Sequence, residues 1–110
     1  MSELRELDLS GLQLGSLKWL ANLKHLRVLD LSCTDFVDSA LLQDLTYITD
    51  LNLRKSPVRS LNGLMDMRQL RRLNLNNTKI DNLSPIHLAT ELEELSLQNT
   101  AINDLTAIVD

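Results

Sequence analysis

Residues 26–31 have the sequence Leu-Arg-Val-Leu-Asp-Leu, and residues 70–75 repeat the pattern as Leu-Arg-Arg-Leu-Asn-Leu. In both segments the leucines are separated first by three positions and then by two. An α-helix repeats every 3.6 residues and a β-strand every two, so neither alone produces this series. The segments therefore belong to a unit that combines different kinds of local structure.

The unit begins again every 22 residues, which places five copies in register. The copies are residues 4–25, 26–47, 48–69, 70–91 and 92–110. Two columns of the register hold leucine in every copy: Leu7, Leu29, Leu51, Leu73 and Leu95, followed by Leu9, Leu31, Leu53, Leu75 and Leu97. A fixed period is typical of a solenoid, in which no unit buries its apolar face alone. We therefore expect residues 1–110 to form a single domain with one shared core.

The pattern L-x-x-L-x-L resembles that of leucine-rich-repeat proteins. The 22-residue period is similar to the short repeats of the phosphatase-regulator and internalin-like class. Residues 29–34, Leu-Asp-Leu-Ser-Cys-Thr, also look like trypanosomatid repeats that use Thr where others use Asn. The resemblance implies an α/β fold, a right-handed β-α superhelix with five short parallel strands on its concave face. It also implies returns on the outer side made of 3-10 or short helical segments.

The ninth position of each copy departs from the pattern of this family. It holds Leu12, Thr34, Ser56, Thr78 and Thr100. The commonest family residue there is an Asn whose side chain ties adjacent coils together through backbone groups. A hydroxyl has fewer hydrogen-bonding groups than an amide, so we expect a narrower ladder of hydroxyls between coils. Leu12 cannot join this ladder.

The strand residues alternate between apolar and polar, which indicates that one face of the sheet stays in water. This concave face is the usual binding surface of a solenoid. It carries no Trp or Tyr, which are the residues that dominate tight interfaces, so we expect any partner there to be held weakly. Among the return segments, that of the second copy begins with a capping residue, Asp38, followed by helix formers, so we expect it to be the most helical.

Ten residues are candidates for contact with a partner. They are Trp19, Asp30, Asp50, Asn52, Arg54, Lys55, Arg71, Arg72, Asn74 and Glu94. The four basic residues gather near the middle of the array, where they could dock an acidic or phosphorylated segment. Alternatively, Asp50, Arg72 and Glu94 pair with one another along their column, as an exposed ladder that contributes little.

The other candidates also have two interpretations each. Asn52 and Asn74 could form hydrogen bonds with an extended partner, or they could be part of a solvated face. Trp19 lies in the return segment of the first copy, where Leu20 already takes the inward position. We expect Trp19 to be either buried or partly exposed and in contact with another chain or domain.

Composition excludes several classes of function. The net charge is −4, with 15 acidic and 11 basic residues, which argues against a general nucleic-acid binder. No stretch approaches the roughly 20 apolar residues of a membrane span, and residues 1–3 lead into the repeats without a signal peptide. Cys33 is the only cysteine, so no disulfide can form within the chain. We expect a cytoplasmic protein that binds no membrane.

No combination of residues predicts catalysis. His25 and His87 lie in different copies, and no cluster of His, Cys and carboxylates has the spacing of a metal site. The chain has three glycines and no glycine-rich phosphate loop. We expect no enzyme activity, no cofactor and no small-molecule substrate.

The ends of the array raise a separate question, because solenoids need terminal units with a polar outer face. We find no such caps in the sequence. The apolar residues of the fifth copy face the open side: Leu95, Leu97, Ile102, Leu105 and Ile108. We expect a segment of a longer array or a chain that associates end to end with its own copies.

The predicted function is that of a noncatalytic scaffold, which binds a protein partner through its concave face and edges. The alternatives are a regulatory subunit of an enzyme such as a protein phosphatase, and an extracellular adhesion or ligand-sensing module.

Overall fold

The computed structural model describes residues 3–102, which form one sheet of five parallel strands in sequence order. The strands are β1 (Glu6–Asp8), β2 (Val28–Asp30), β3 (Asp50–Asn52), β4 (Arg72–Asn74) and β5 (Glu94–Ser96). Each strand residue pairs with the residue 22 positions further along the chain, such as Leu29 with Leu51. The predicted solenoid with five short strands is therefore confirmed.

Short 3-10 segments return the chain from one strand to the next. In the described part of the chain they are η1 (Lys18–Asn22), η2 (Ser39–Leu42), η3 (Asn62–Leu64) and η4 (Ser84–Ile86). The predicted cap is present, since Oδ1 of Asp38 accepts a hydrogen bond from the Ala40 N–H at 3.0 Å. The prediction that the second return is the most helical is wrong, because η1 has five residues and η2 has four. The cap sets where η2 begins, whereas the 22-residue period limits how long any return can be.

The core is a stack of mostly aliphatic side chains, with Phe36 among them, between the sheet and the returns. The inward leucines of β2, β3 and β4 and of the residues that follow them are at most 2% exposed. They are Leu29, Leu31, Leu51, Leu53, Leu73 and Leu75. Burying each of them contributes about 1.5–3 kcal/mol. This core is continuous through the central coils, as expected for units that cannot bury an apolar face alone.

The outermost coils are less completely covered. Leu7 and Leu9 in the first copy, and Leu95 and Leu97 in the fifth, are only partly buried. Ile102 is also partly buried, whereas Leu105 and Ile108 lie outside the described residues. End-to-end association of copies stays a prediction.

The hydroxyls of the ninth column bind within their own coils. Thr34 Oγ1 donates to the Leu31 carbonyl at 2.6 Å, and Ser56, Thr78 and Thr100 repeat this bond at 2.7, 2.8 and 3.0 Å. The prediction of a ladder between coils is therefore wrong. Each hydroxyl has a single proton and donates it to the carbonyl three residues earlier, so it has none left to donate to a neighbouring coil. Leu12 takes no part and is 52% exposed.

In every copy, the third residue after the end of the strand has a left-handed backbone conformation. This position holds Gly11, Cys33, Lys55, Asn77 and Asn99, with φ between 57° and 75°. Glycine and asparagine adopt this conformation readily, whereas a larger side chain is strained by contact between its Cβ and the backbone. Cys33 and Lys55 are therefore strained at a turn that all five coils require.

We predict that Lys55→Asn stabilises the fold by about 0.5–1 kcal/mol, because asparagine relieves part of the strain of left-handed backbone. The matched control is Lys79→Asn, which removes the same charge from a neighbouring coil at a position without positive φ. Urea unfolding of both variants would measure the difference. An equal midpoint for the two variants would contradict the assignment of strain to Lys55.

Gly63 marks the closest contact between two returns. It is buried in η3, and its N–H donates to Ser39 Oγ of the preceding return at 3.1 Å. A Cβ at this position would overlap the carbonyl oxygen of Ser39. The same register position holds Trp19, Leu41 and Pro85 in the other described copies. Only the contact between η2 and η3 therefore depends on a missing side chain.

We predict that Gly63→Ala destabilises the protein by about 1–3 kcal/mol, because the added methyl group forces η2 and η3 apart. Gly15→Ala is the control, since a Cβ at Gly15 meets no atom within 4 Å. Thermal and urea unfolding would compare the two variants. A Gly63→Ala variant as stable as Gly15→Ala would show that the returns can separate freely.

Candidate functional site

The concave face is formed by the outward side chains of the five strands. Its first column holds Glu6, Val28, Asp50, Arg72 and Glu94, and its second holds Asp8, Asp30, Asn52, Asn74 and Ser96. A shallow depression of about 350 Å³ extends over β2 to β5. Val28 and the strand leucines contribute apolar surface to its lining, and the remaining lining is polar or charged.

An ion-pair ladder crosses this depression. Arg72 Nη1 lies 3.1 Å from Asp50 Oδ2, and Arg72 Nε lies 2.6 Å from Glu94 Oε2. The hydrogen bonds that Arg72 donates to Asp50, and after it to Glu94, raise the pKa of its guanidinium above the ordinary value. The predicted pairing along the column is therefore observed. Because the side chains of Arg72 and Glu94 are largely exposed and that of Asp50 is 30% exposed, solvent screens the ladder, and it orients these charges more than it stabilises the fold.

The second column serves the backbone. The side chain of Asp30 accepts a hydrogen bond from the Ser32 N–H at 2.9 Å, and those of Asn52 and Asn74 each accept one from the N–H two residues further at 3.0 Å. Asp8 does the same with Ser10, whose hydrogen bonds from side chain and backbone lower the pKa of the Asp8 carboxyl. Such turns are typical of Asp and Asn. Three predicted partner-binding residues therefore each have a side-chain oxygen committed to the turn.

We predict that Asn74→Ala lowers the free energy of unfolding by about 1 kcal/mol, because the Asn76 N–H loses its acceptor. Asn74→Asp should retain most of the stability, since a carboxylate also accepts this bond. Ser96→Ala is the control in the same column, because the N–H two residues further, that of Gln98, donates to Asn76 Oδ1 at 2.8 Å and not to Ser96. Urea unfolding would check the order, and a loss with Asn74→Asp equal to that with Asn74→Ala would contradict it.

The predicted central cluster of basic residues is divided between two edges of the sheet. Arg71 and Arg72 lie at the amino end of β4, whereas Arg54 and Lys55 follow the carboxyl end of β3. Because the strands are parallel, these two pairs lie at opposite edges. Arg71 has acidic partners at 3.6 Å in Glu91 and 4.0 Å in Glu93.

The edge at the carboxyl ends of the strands carries a groove of about 370 Å³. It is lined by Lys55, Ser56, Pro57, Arg59, Asn77 and Lys79. Arg59 and Lys79 were not among the predicted binding residues. Their register positions are two columns apart. Comparing adjacent copies along the turn, as well as along the strand, would have placed them close together.

The opposite edge is also concave and is lined by polar and charged residues. A groove of about 510 Å³ is lined by Arg27, Thr49, Asp50, Gln69, Arg71, Arg72 and Glu91. In the column just before this edge, the rings of His25 and Tyr47 stack with centroids 6.4 Å apart. Tyr47 is 45% exposed, and it was not identified from the sequence as a surface aromatic.

Trp19 is 46% exposed within η1, which agrees with the interpretation that it is partly exposed. Its contact with another chain stays a prediction. It lies on a return and not on the concave face, so it is separated from the other nine candidates.

The residues that could act as nucleophiles or metal ligands are dispersed. Cys33 is an exposed thiol, and His87 is held by a 2.8 Å contact between its Nδ1 and the Ser84 carbonyl. Within residues 3–102, no group of three or more His, Cys, Asp or Glu residues is arranged to hold a metal ion. In the same range, no helix is long and apolar enough to cross a membrane.

Comparison with known proteins identifies the fold. Internalin C2 of Listeria monocytogenes has a TM-score of 0.91 and 31% sequence identity, over 94% of this chain and 46% of that one. A leucine-rich-repeat protein of Leptospira interrogans has a TM-score of 0.80 and 21% identity, covering 93% of this chain and 33% of the other. InlF, an internalin of Listeria monocytogenes, has a TM-score of 0.74 and 20% identity, over 94% and 37% of the two chains.

The chain spans less than half the length of each of these three proteins. No protein-family model matches the sequence, and no curated protein matches it significantly. The structural similarity shows that the chain is a leucine-rich-repeat solenoid. The likeness to phosphatase regulators and to trypanosomatid repeats stays a prediction.

Proposed function

We propose that this chain is a noncatalytic protein-interaction module that binds a protein partner on its concave face and along the edges of its sheet. The open face of the sheet carries the proposal. Five strands leave this face to solvent, and β2 to β5 form a depression of about 350 Å³ on it. The similarity to other leucine-rich-repeat solenoids supports a role in protein interaction.

The concave face offers a partner a small apolar area beside oriented charges. Val28 is partly buried and interrupts an otherwise charged column, next to the ladder of Asp50, Arg72 and Glu94. Since the ladder already holds Arg72 in place, a partner that contacts its guanidinium has less side-chain entropy to remove. A partner carboxylate can also replace Glu94, whose side chain is 66% exposed.

The composition of this face indicates modest affinity. Among the residues described, the two strand columns contain no Trp or Tyr, and such residues provide most of the energy in tight interfaces. Exposed aromatic surface is found instead at Trp19 and Tyr47, on a return and beside an edge. A partner that wraps from the concave face over an edge would therefore bind more tightly than one confined to the concave face.

We predict that Val28→Arg combined with Arg72→Glu reduces capture of the partner at least tenfold, because it fills the depression and reverses its central charge. The matched control is Met65→Arg with Arg68→Glu, which makes the same kinds of change on an exposed part of the third return. The wild type and both variants would be immobilised, and the proteins that each retains from a cell lysate would be compared. Circular dichroism would first show that each is folded.

A protein retained by the wild type and the control but lost from the concave variant would support the proposal. If the concave variant retains the same proteins as the wild type, the concave face is not the binding surface. If both variants lose them equally, the interaction is not specific to this face.

A further inference from the structure

Four basic residues gather in the third and fourth copies where the strands end, and we call this surface the basic edge. It consists of Arg54, Lys55, Arg59 and Lys79. Three of them line the groove of about 370 Å³, and no acidic residue lines it. Within residues 3–102, every ion pair involves Arg71 or Arg72 at the opposite edge of the sheet. The basic edge therefore has no counter-charge in ion-pair contact within this part of the chain.

This concentration runs against the charge of the molecule. The chain has 15 acidic and 11 basic residues, yet four of the basic ones lie on this edge. Two acidic residues share columns with residues of this edge, and neither forms an ion pair with it. Asp35 in the preceding copy accepts a hydrogen bond from the Leu14 N–H at 2.9 Å, and Asp81, in the same column as Arg59, forms no ion pair with it. Like charges held together repel one another, and a bound anion relieves that repulsion.

The polar side chains that line the groove offer a ligand hydrogen-bond donors. Oδ1 of Asn77 already accepts from Asn99 Nδ2 at 2.9 Å, so the Asn77 amide offers a ligand its donor nitrogen. Arg59, Lys79 and Lys55 are donors only. The hydroxyl of Ser56 is itself engaged with the Leu53 carbonyl at 2.7 Å. A groove lined by donors matches an anion that accepts several hydrogen bonds at once.

The backbone of the groove is held in place before any ligand binds. The Lys55 N–H donates to the Asn76 carbonyl in the next copy at 3.0 Å, and the Ser56 N–H donates to the Leu53 carbonyl at 3.1 Å. Pro57 further restricts the turn. Lys55 keeps its left-handed conformation, with φ of 58°, within these bonds. Such preorganisation lowers the entropy lost on binding.

We propose that the basic edge binds an acidic peptide segment, whose Asp and Glu carboxylates enter the groove. This inference rests on the proposed function, because it names the chemistry of the partner. The guanidinium of Arg59 can bind a carboxylate through two parallel hydrogen bonds. Lys55 and Lys79 lie in adjacent copies, so the peptide runs across at least two coils.

A peptide fits this edge better than a nucleic acid does. The groove lining contains no aromatic side chain on which a base could stack. The basic edge is confined to two copies, and the second copy, which precedes them, carries a net charge of −3. A long polyanion would meet this acidic region, whereas a short acidic segment would not.

The test is a titration of the ¹⁵N-labelled chain with an N-acetylated hexaglutamate peptide, together with fluorescence anisotropy of a labelled copy of that peptide. We predict that the largest amide shifts occur at Lys55, Asn77 and Lys79, and that affinity falls as salt is added. Arg59→Glu combined with Lys79→Glu should weaken binding at least tenfold. Lys24→Glu combined with Arg68→Glu makes the same change in net charge at exposed positions outside the groove and should alter affinity less than twofold.

Equal weakening in both double variants would overturn the inference, since it would show attraction by net charge alone. Shifts confined to other surfaces would also overturn it, as would tighter binding of a six-nucleotide oligothymidylate at the same groove. If hexaglutamate fails to bind while the concave variant still loses its captured partner, the proposed function stands and this inference fails. If hexaglutamate binds the groove but the concave face captures no protein, this inference stands and the proposed binding on the concave face fails.

Discussion

Backbone hydrogen bonds between adjacent coils are the constraint on which the rest of the structure depends. Beyond the paired strand residues, the Leu9 N–H donates to the Asp30 carbonyl at 2.8 Å, and Leu31 and Leu53 repeat this bond in the next coils at 2.9 Å. Each bond joins residues separated by almost one 22-residue copy. Because the same offset holds in every coil, residues of one column share one environment. The core, the turns and the surface columns all follow from this register.

The parts of the fold that depend on the register alone could be predicted from sequence. The leucine columns locate the strands and the core, since only one lateral alignment buries all of them. The same alignment places Asp50, Arg72 and Glu94 side by side, so their pairing was foreseeable. Partial exposure of Trp19 could also be anticipated, because Leu20 occupies the inward position next to it.

The remaining features depend on the direction of each side chain and on its hydrogen-bond partner, which the alignment of the copies does not show. Thr34 has a hydroxyl that could donate within its coil or to the next one, and only the structure shows that it donates to the Leu31 carbonyl of its own coil. The sequence places Asn52 on the open face, but only the structure shows that its Oδ1 accepts a hydrogen bond from the Arg54 N–H. Arg54 and Arg71 lie close in the ordering of copies, but they are at opposite ends of parallel strands, and the candidate site divides accordingly.

Gly63 also bears on the curvature of the solenoid. Hydrogen bonds hold the strands at a fixed separation, so the spacing of the returns determines how sharply the array bends. This register position holds Trp19, Leu41 and Pro85 in the other described copies, whereas Gly63 lets η3 approach Ser39 closely. The concave face is therefore flatter between β2 and β3 than it would be with a larger residue at position 63. The array is therefore not expected to bend uniformly, because only the step between η2 and η3 has no side chain at this register position.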